Sequence, residues 1–557
     1  MSQLVCMPFA VGHDQEGVCL EIGMGPRHII LDCGLTHIHG LKAARHAKAP
    51  IDLLFCSHAH RDHAAGILDF SRVFPGVPIY GSEATAQLLS LNWPDQQDGA
   101  DLCQALPWHT PIQVADDLTI QIWPAGHLPG AACALFTYRA PERIYTVFYA
   151  GDFFMSNSRL VDGLPLEVLR GLKPDVLILE GSTGTASHPH RRQQENQLAT
   201  TIYDLWQQGR SLLLPVPTLG LGQELVMLLR SHHQFTGKDI TVWVDNNVAA
   251  GCDAYLGLLP HLPSSVQNFA RHQPLFWDER ILPRVRRLTS SNQLDSSNPC
   301  IVIADQGVDP SAYCRTLKHP WSILLPEAFA ADLALSVLSN PAVDSDLPLD
   351  WLQSLGPELE LGQVQLETYS LATHSDRIGT TQLIHNLRPQ HVVLIHGHPN
   401  HLADLAALEE LQIRYQLHLP AAGKLLEFPL GDRFIQPAAP DPVFEVEITE
   451  VDDCLLLQLP EAMIRDRRSR LLAGSGLVQV RWQGDELVLK GISQRDLLRS
   501  MALSPRGEST ENCHHCRYFR QRRCRSHSSP LYGREVSPEG YCQAFEQGLE
   551  PTDQQVL

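Results

Sequence analysis

The chain has 557 residues, which is enough for about three or four domains, and its 44% hydrophobic and 19% charged residues exclude a disordered protein. It contains no uncharged apolar stretch of membrane length and no basic-then-apolar signal peptide pattern at its N-terminus, so we expect a cytoplasmic protein without a membrane partner. A formal net charge of -19 excludes a uniformly basic surface, so any polyanion must be bound by a local patch.

Short apolar segments near the N-terminus predict three successive strands, Leu4 to Ala10, Gly17 to Ile22 and His28 to Leu31. The third strand leads into Asp32-Cys33-Gly34. Turns of this type are common after strands, so Asp32 by itself is weak evidence for a site.

The segment after the next predicted strand, Ile51 to Cys56, carries the most information. It runs Ser57-His58-Ala59-His60-Arg61-Asp62-His63. His58 and His60, two positions apart on an extended segment, can direct both imidazoles to one point, whereas Asp62 and His63 begin a helix and turn to a neighbouring point. Because an ordered His-x-His-x-Asp-His after a strand seldom arises by chance, the spacing predicts two metal sites a few ångströms apart.

Later predicted strands also end at residues that bind metal or move protons. The strands Leu118 to Trp123, Tyr145 to Ala150, Val176 to Leu179 and Val392 to Ile395 lead to His127, Asp152, Glu180 and His396 respectively. His374 stands in a polar segment before a predicted helix. A lone histidine is more often structural, for example as a helix cap, so the order of the whole set is stronger evidence than any one member.

Almost two hundred residues separate Glu180 from His374. Strand, turn and helix signals alternate there, as in Leu212 to Val216 and Ile240 to Asp245, which predicts an inserted α/β domain and not a loop. Prolines at 437, 440 and 442 indicate a linker. Beyond it, Val478 to Trp482 and Leu487 to Lys490 predict a hairpin in a small α+β module.

The ordered set resembles the signature of the β-CASP nucleases of the metallo-β-lactamase superfamily, which include RNase J and the cleavage-and-polyadenylation endonuclease. The resemblance covers residues 1 to about 437. It implies an α/β fold in which a metallo-β-lactamase αββα sandwich, residues 1–187 and 366–437, carries an inserted α/β β-CASP domain, residues 188–365. A small C-terminal α+β module, residues 443–500, and a Cys-rich metal-binding tail, residues 505–557, complete the predicted organisation.

The resemblance also implies roles for the set. His58, His60 and His127 would hold one ion, Asp62, His63 and His396 the other, with Asp152 between them and Asp32 bracing the loop. Imidazoles and carboxylates without thiolates favour two zinc ions, with manganese as the alternative. Such a pair lowers the pKa of a water and polarises a phosphodiester. His374 would neutralise charge and donate the leaving-group proton, with Glu180 orienting its ring.

A histidine at the position of His396 is typical of the RNA-processing members, whereas DNA-repair members tend to carry valine. We therefore expect RNA as the partner, single-stranded rather than duplex, in a groove between sandwich and insert. Arg191 and Arg192 are candidates for its edge, although arginines at a helix start are often merely solvated. A homodimer is left open, as is the choice between endonuclease and 5′-exonuclease.

The insert departs from the family pattern in three places. Gly220-Leu221-Gly222-Gln223-Glu224 lacks the arginine that usually precedes the Gln-Glu pair, residues 303–308 only loosely match a Ser-Gly-Met element, and residues 325–340 hold no Gly-Thr-x-Gly-Arg segment. Two alternatives to an RNA hydrolase therefore stay open. One is a catalytically weak scaffold subunit of an RNA-processing complex, and the other is a hydrolase of a small ester or nucleotide.

Most of the 14 cysteines stand singly in apolar runs, which is typical of reduced core thiols. Four near the C-terminus lie in a polar segment with little core of its own, which predicts a structural zinc ion or a [4Fe-4S] cluster, with free thiols as the third option: Cys513, Cys516, Cys524 and Cys542. Arginines between them, with Tyr518 and Phe519, predict a nucleic-acid contact or else a solvated surface: Arg520, Arg522 and Arg523.

Overall fold

The structure, a computed structural model, describes residues 4–13, 17–45, 50–94, 96, 102–294, 298–315, 319–327, 354–355, 362–430, 447–451, 454–458, 478–483, 486–491, 513, 516–529, 531–536 and 546. The chain divides into two compact units, Met1–Asp441 and Pro442–Leu557. Among the described residues, no helix combines the length and apolar character that crossing a bilayer requires.

The strands of the first unit are β1 (Leu4–Val11), β2 (Val18–Met24), β3 (Arg27–Leu31), β4 (Leu53–Phe55), β5 (Ile79–Ser82), β6 (Gln104–Leu106), β7 (Ile112–Ala115), β8 (Leu118–Pro124), β9 (Ala132–Arg139), β10 (Ile144–Tyr149), β11 (Val176–Glu180), β12 (Ser211–Val216), β13 (Thr241–Asp245), β14 (Arg284–Leu288), β15 (Ile301–Asp305), β16 (Trp321–Pro326), β17 (Val364–Tyr369), β18 (His391–Ile395), β19 (Gln416–His418) and β20 (Leu426–Glu427).

Its helices are α1 (His39–Arg45), α2 (Arg61–Ala64), α3 (Ile67–Val73), α4 (Glu83–Leu88), α5 (Leu166–Leu169), α6 (Arg191–Gln207), α7 (Leu221–Ser231), α8 (Asn246–Gly257), α9 (Ser264–His272), α10 (Ser311–Cys314), α11 (Arg377–Leu387), α12 (Pro399–Ala406) and α13 (Glu409–Gln412). Short 3₁₀ helices cover Leu89–Asn92, Leu259–His261 and Ser291–Gln293.

Two seven-stranded sheets pack face to face. Their strand orders are β20-β1-β2-β3-β4-β5-β6 and β19-β18-β11-β10-β9-β8-β7. Side chains alternate along each strand, so Val176 and Ile178 of β11 join the core between the sheets, whereas Leu177 and Leu179 pack in the outer core with the helices. This arrangement confirms the αββα sandwich that the resemblance implies.

A third sheet of six parallel strands, in the order β14-β13-β15-β12-β16-β17, is built from strands between residues 211 and 369, and its last strand, β17, crosses the predicted boundary at residue 365. Both of its faces are covered, because Leu212 and Leu214 pack in one apolar cluster and Leu213 in another. Burial on both faces explains why these strands are almost continuously apolar in sequence. The inserted α/β layer is therefore present.

The topology places the polar motifs at one edge of the sandwich. β3 and β4 are parallel, and so are β10, β11 and β18, so the carboxyl ends within each group lie together. Gly34, just after β3, lets the motif loop approach closely, because a Cβ atom there would lie 1.6 Å from the carbonyl oxygen of Asp62. The loop after β4 is thus held against the end of β3.

In the second unit, β21 (Glu447–Val451) pairs with β22 (Cys454–Gln458), and β23 (Val478–Gln483) pairs with β24 (Glu486–Gly491), both antiparallel. The second pair confirms the predicted hairpin. A further two-residue pair, β25 (Phe519–Arg520) with β26 (Arg523–Cys524), lies among the C-terminal cysteines.

Candidate metal centre

Asp32 joins three elements of the sandwich from a fully buried position. Its carboxylate accepts hydrogen bonds from the backbone N–H and the hydroxyl of Ser57, at 2.6 and 2.7 Å, and from the Tyr149 hydroxyl at 2.5 Å. The Nδ1 atom of His63 lies 2.7 Å from the same carboxylate. This contact fixes the His63 ring with Nε2 turned toward Asp152, so Asp32 occupies the bracing position expected of it.

Three imidazoles and one carboxylate form a first group. The Nδ1 atom of His60 lies 3.2 Å from Nε2 of His58 and 3.0 Å from Nε2 of His127. Oδ2 of Asp152 lies 3.6 and 3.8 Å from the same two Nε2 atoms. Three ring nitrogens that converge this closely on a carboxylate oxygen suit a cation between them better than hydrogen bonds to one another.

A second group shares Asp152 and adds Asp62, His63 and His396. Nε2 of His396 lies 3.0 Å from Oδ2 of Asp62 and 3.8 Å from Oδ2 of Asp152. Nε2 of His63 faces Oδ1 of Asp152 at 3.3 Å. Since one carboxylate serves both groups, the two sites are adjacent, as the sequence spacing predicts.

The residues fit a pair of metal ions on two structural counts. Nε2 of His63 and Oδ1 of Asp152 are buried without a hydrogen-bond partner in the described part of the chain, and leaving such atoms unsatisfied costs about 1–3 kcal/mol each. In addition, each converging imidazole has its other ring nitrogen engaged, as metal-binding histidines usually do. The partners of these outer nitrogens are the hydroxyls of Ser57 and Ser182, the carboxylate of Asp32, and the carbonyls of Leu219 and Thr373.

The electrostatics differ between the two groups of ligands. Burial lowers the pKa of His58, His60 and His127, so these rings are neutral and keep lone pairs to donate. Burial opposes ionisation of Asp152, but the nearby His396 and His63 outweigh it and hold the pKa of Asp152 well below its usual range. Burial opposes the charged forms of His63 and His396, but the Asp152 carboxylate outweighs it and raises the pKa of both rings, so these two imidazoles must lose a proton when a metal ion binds.

His374 lies beside the first group, with its ring centroid 4.6 Å from that of His127. Its Nδ1 atom lies within 2.9 Å of both oxygens of Glu180, which is itself buried. Burial opposes the charged ring, yet the Glu180 carboxylate outweighs it and raises the pKa of His374 to about 9. Helix α11 is capped by Asp376, which accepts from the N–H of Gly379 at 2.9 Å, so His374 does not serve as the helix cap.

Ser182 is a site residue that the sequence patterns do not predict. Its hydroxyl donates to Glu180 and lies 3.0 Å from Nδ1 of His396, so it links the His374 pair to the second metal group. The available signal was its position two residues after Glu180 at a strand end. The carbonyls of Leu219 and Thr373 are also part of the site, and no side-chain pattern indicates them.

The structure contradicts the predicted role of Arg191 in contacting nucleic acid. Arg191 is only 7% exposed, and its guanidinium lies 3.4 Å from each of the carboxylates of Glu195 and Glu224 and donates to the carbonyl of Ala372. Because its guanidinium is buried and paired with these groups, Arg191 is not available to bind a phosphate. Arg192 lies on the exposed side of α6, where its predicted contact with nucleic acid stays a prediction.

The cysteine tail is described only in part. Cys513 and Cys524 are buried in a small cluster with Leu531 and Val536, and Cys516 is half-buried. The groups of metal-binding side chains found among the described residues do not include these thiols, and Cys542 lies outside the described residues. Arg520, Arg522 and Arg523 are exposed. The four-thiolate site and the basic contact therefore stay predictions.

Residues 27–199 match the family model of the beta-lactamase superfamily domain, and residues 363–418 match that of the Zn-dependent metallo-hydrolase RNA specificity domain. The chain is 46% identical over 550 residues to the uncharacterized protein sll0514 of Synechocystis sp., covering 97% of this chain and 96% of that protein.

More distant similarity extends to two eukaryotic proteins. Identity is 25% over 432 residues to cleavage and polyadenylation specificity factor 73 of Drosophila melanogaster, covering 72% of this chain and 60% of that protein. It is 24% over 437 residues to endoribonuclease YSH1 of Yarrowia lipolytica, covering 71% and 50%. The chain thus spans only half to three fifths of these two relatives. With the fold and the shared-carboxylate centre, these similarities show that the chain belongs to the β-CASP subfamily of the metallo-β-lactamase superfamily and is a metal-dependent hydrolase.

Proposed function

We propose that the protein hydrolyses phosphodiester bonds of single-stranded RNA at a two-metal centre. The observation that carries this proposal is Asp152, whose two oxygens serve two adjacent groups of ligands, with the His374–Glu180 pair directly beside them. A small-ester hydrolase needs no protonated imidazole at this place, whereas a phosphodiester transition state gains from one because negative charge builds on its oxygens.

The proposed ligands are His58, His60 and His127 for one ion and Asp62, His63 and His396 for the other. The absence of thiolates from the donor set, together with the match to a Zn-dependent metallo-hydrolase domain, supports zinc, with manganese as the alternative. When bound, the two ions supply Lewis-acid activation of water and of the phosphodiester. The role of the chain is to fix their spacing through Asp152 and, at the His58–His60–His127 site, to keep the imidazoles neutral.

His374 supplies the proton in this proposal. With Nδ1 held by Glu180, its Nε2 is left to donate to a non-bridging oxygen and then to the leaving oxygen of the substrate. Because its pKa is raised to about 9, His374 carries its proton at neutral pH. Glu180 orients the ring and is itself held by the backbone N–H of Phe153 at 2.9 Å.

RNA as the substrate is supported by the match of residues 363–418, which contain both His374 and His396, to an RNA specificity domain. The name of one relative, an endoribonuclease, points the same way. We further propose that Arg192 on α6 and the exposed arginines 520, 522 and 523 contact the RNA backbone. Arg191 has no part in this contact.

The test is hydrolysis of 5′-labelled single-stranded RNA by metal-loaded protein, compared with single-stranded DNA of the same sequence. Asp152→Asn should abolish cleavage, whereas Asp204→Asn, which changes an exposed carboxylate on α6, should cleave at the wild-type rate. The labelled products also distinguish internal cleavage from removal of 5′ nucleotides. If wild-type protein with two bound ions leaves RNA intact, the proposal fails.

A further inference from the structure

The two metal groups differ in which part of the chain holds their outer ring nitrogens. In the second group, His63 is held by Asp32 and His396 by Ser182, and both partners belong to the sandwich. In the first group, Nε2 of His60 lies 3.3 Å from the carbonyl oxygen of Leu219, which belongs to the insert, residues 188–365. The first group therefore depends on a backbone carbonyl of the insert, whereas the outer nitrogens of His63 and His396 are held by the sandwich.

The Leu219 carbonyl is fixed by the insert's own contacts. The hydroxyl of Thr218 donates to Oδ2 of Asp305 at 2.5 Å, and the side chain of Gln223 donates to the carbonyl of Thr218 at 3.0 Å. Gln223 also accepts from the N–H of Gly220 at 2.8 Å, in a turn with a positive φ of 91° that favours glycine. The turn before α7 is thus bonded on both sides of Leu219, to the end of β15 and to the first turn of α7.

A second chain of contacts links the insert to His127. Nδ1 of His127 lies 2.8 Å from the carbonyl of Thr373, and the preceding residue, Ala372, is held from both sides by α6 of the insert. The N–H of Ala372 donates to the Gln194 side chain at 2.7 Å, and Arg191 donates to the Ala372 carbonyl. Both Arg191 and Gln194 are buried, so they hold this peptide and do not face solvent.

We propose that the insert positions the His58–His60–His127 site, so that the ion bound there depends on the packing of the insert, whereas the ion of the second site is held by the sandwich alone. Thr218, Gln194 and Arg191 are the positioning residues. Because the same Ala372–Thr373 segment leads into His374, the insert sets this metal site and the proton donor together. The inference rests on the proposed two-metal centre and adds to it an unequal dependence of the two sites on the insert.

The test measures metal affinity in the absence of RNA. Cobalt is titrated into metal-free full-length protein, because it occupies zinc sites and because its thiolate complexes absorb in the near ultraviolet, which separates the tail from the centre. Loss of an outer contact to a ligand usually weakens metal binding about 10- to 100-fold. Thr218→Val and Gln194→Met act one bond further from the ligand, so each should weaken binding of the same one of the two ions by up to about 10-fold and leave the other unchanged. Ser182→Ala should weaken the other ion.

Double variants show which of the two ions Thr218→Val weakens. With His396→Ala, which removes a ligand of the second site, Thr218→Val should still weaken the remaining ion. When combined with His60→Ala, which already removes a ligand of the first site, Thr218→Val should cause no further loss of metal affinity. Thr218→Ser keeps the hydroxyl and should bind as wild type does, which separates loss of the bond to Asp305 from general misfolding.

Equal weakening of both ions by Thr218→Val, no weakening of either, or an effect that persists with His60→Ala would overturn the inference. So would wild-type protein that binds one ion or none at the centre. A protein that binds two ions with this asymmetry yet leaves RNA intact would refute only the proposed nuclease activity.

Discussion

Nδ1 of His374 lies 2.8 Å from Oε2 and 2.9 Å from Oε1 of Glu180, although 194 residues separate the two in sequence. The carboxylate has two further donors, the backbone N–H of Phe153 and the hydroxyl of Ser182, so its orientation is set before substrate binds. An imidazole held in this way has its charge and its direction fixed together. This pair separates proton donation from metal binding within one site.

Replacing His374 should therefore reduce turnover without emptying the centre. For His374→Ala we expect the rate of RNA hydrolysis to fall by about 10² to 10⁴, the range for a positioned acid–base group, while both ions and RNA affinity are retained. Single-turnover kinetics and metal analysis of the same sample measure this. His188→Ala, which changes a half-buried histidine at the start of the insert, is the control. Loss of an ion from His374→Ala would show that His374 belongs to the ligand set.

Glu180 should control the pH at which activity is lost. The pKa of His374 is raised to about 9, and the acid must be protonated, so its contribution is present below that pKa and is lost as pH rises through it. Glu180→Gln removes the charge that raises this pKa, so the basic limb of the pH–rate profile should move to lower pH. Glu409→Gln, which changes an exposed carboxylate on α13, should leave the profile unchanged. A basic limb that stays in place with Glu180→Gln would assign it to another group.

Asp32 should matter for stability as well as for metal binding. Asp32→Ala removes a fully buried acceptor and leaves Ser57, His63 and Tyr149 without their shared partner, so we expect the free energy of unfolding of the metal-free protein to fall by about 3 kcal/mol or more. Asp69→Ala breaks only an exposed pair with Arg72 at 3.5 Å and should cost less than about 1 kcal/mol. Urea unfolding compares the two. Similar losses would show that Asp32 is not the brace we describe.

The cysteine tail should bind metal independently of the centre. Anaerobically purified protein should contain either zinc in excess of two ions per chain or iron with a broad visible absorption band, and Cys513→Ser/Cys516→Ser should lose that excess while keeping the catalytic pair. Elemental analysis and absorbance spectra of the two proteins decide between the outcomes. Wild-type protein with no metal beyond the centre would refute the tail site.

Sequence reasoning located the centre because its residues follow strands. Parallel strands bring their carboxyl ends to one edge, so Asp152, Glu180 and His396, which lie at or just after the carboxyl ends of β10, β11 and β18, could be expected to lie together. The bridging role of Asp152 is what the resemblance implies for a carboxylate at this strand end. The αββα sandwich is what the family resemblance implies, whereas the second hairpin of the C-terminal unit is predictable from the two apolar segments on either side of its turn.

What the sequence could not show depends on contacts between distant segments. Arg191 looks like a solvated cation at a helix start, and only the fold brings Glu224 from α7 against it. The carbonyl of Leu219 has no side-chain signature at all. Strand β9 (Ala132–Arg139) was also not predicted, because its start follows a glycine-containing turn directly and gives no separate boundary signal. Loop carbonyls and buried ion pairs must be read from the structure.

The central claim is that two ions sharing Asp152 are both required for phosphodiester hydrolysis. The most direct measurement removes all metal from a Cys513→Ser/Cys516→Ser protein and returns zinc or manganese in known equivalents while cleavage of labelled single-stranded RNA is followed. Activity should stay near the metal-free level until the first equivalent is bound and rise with the second. Full activity after one equivalent, or none after both sites are filled, would contradict the two-ion requirement.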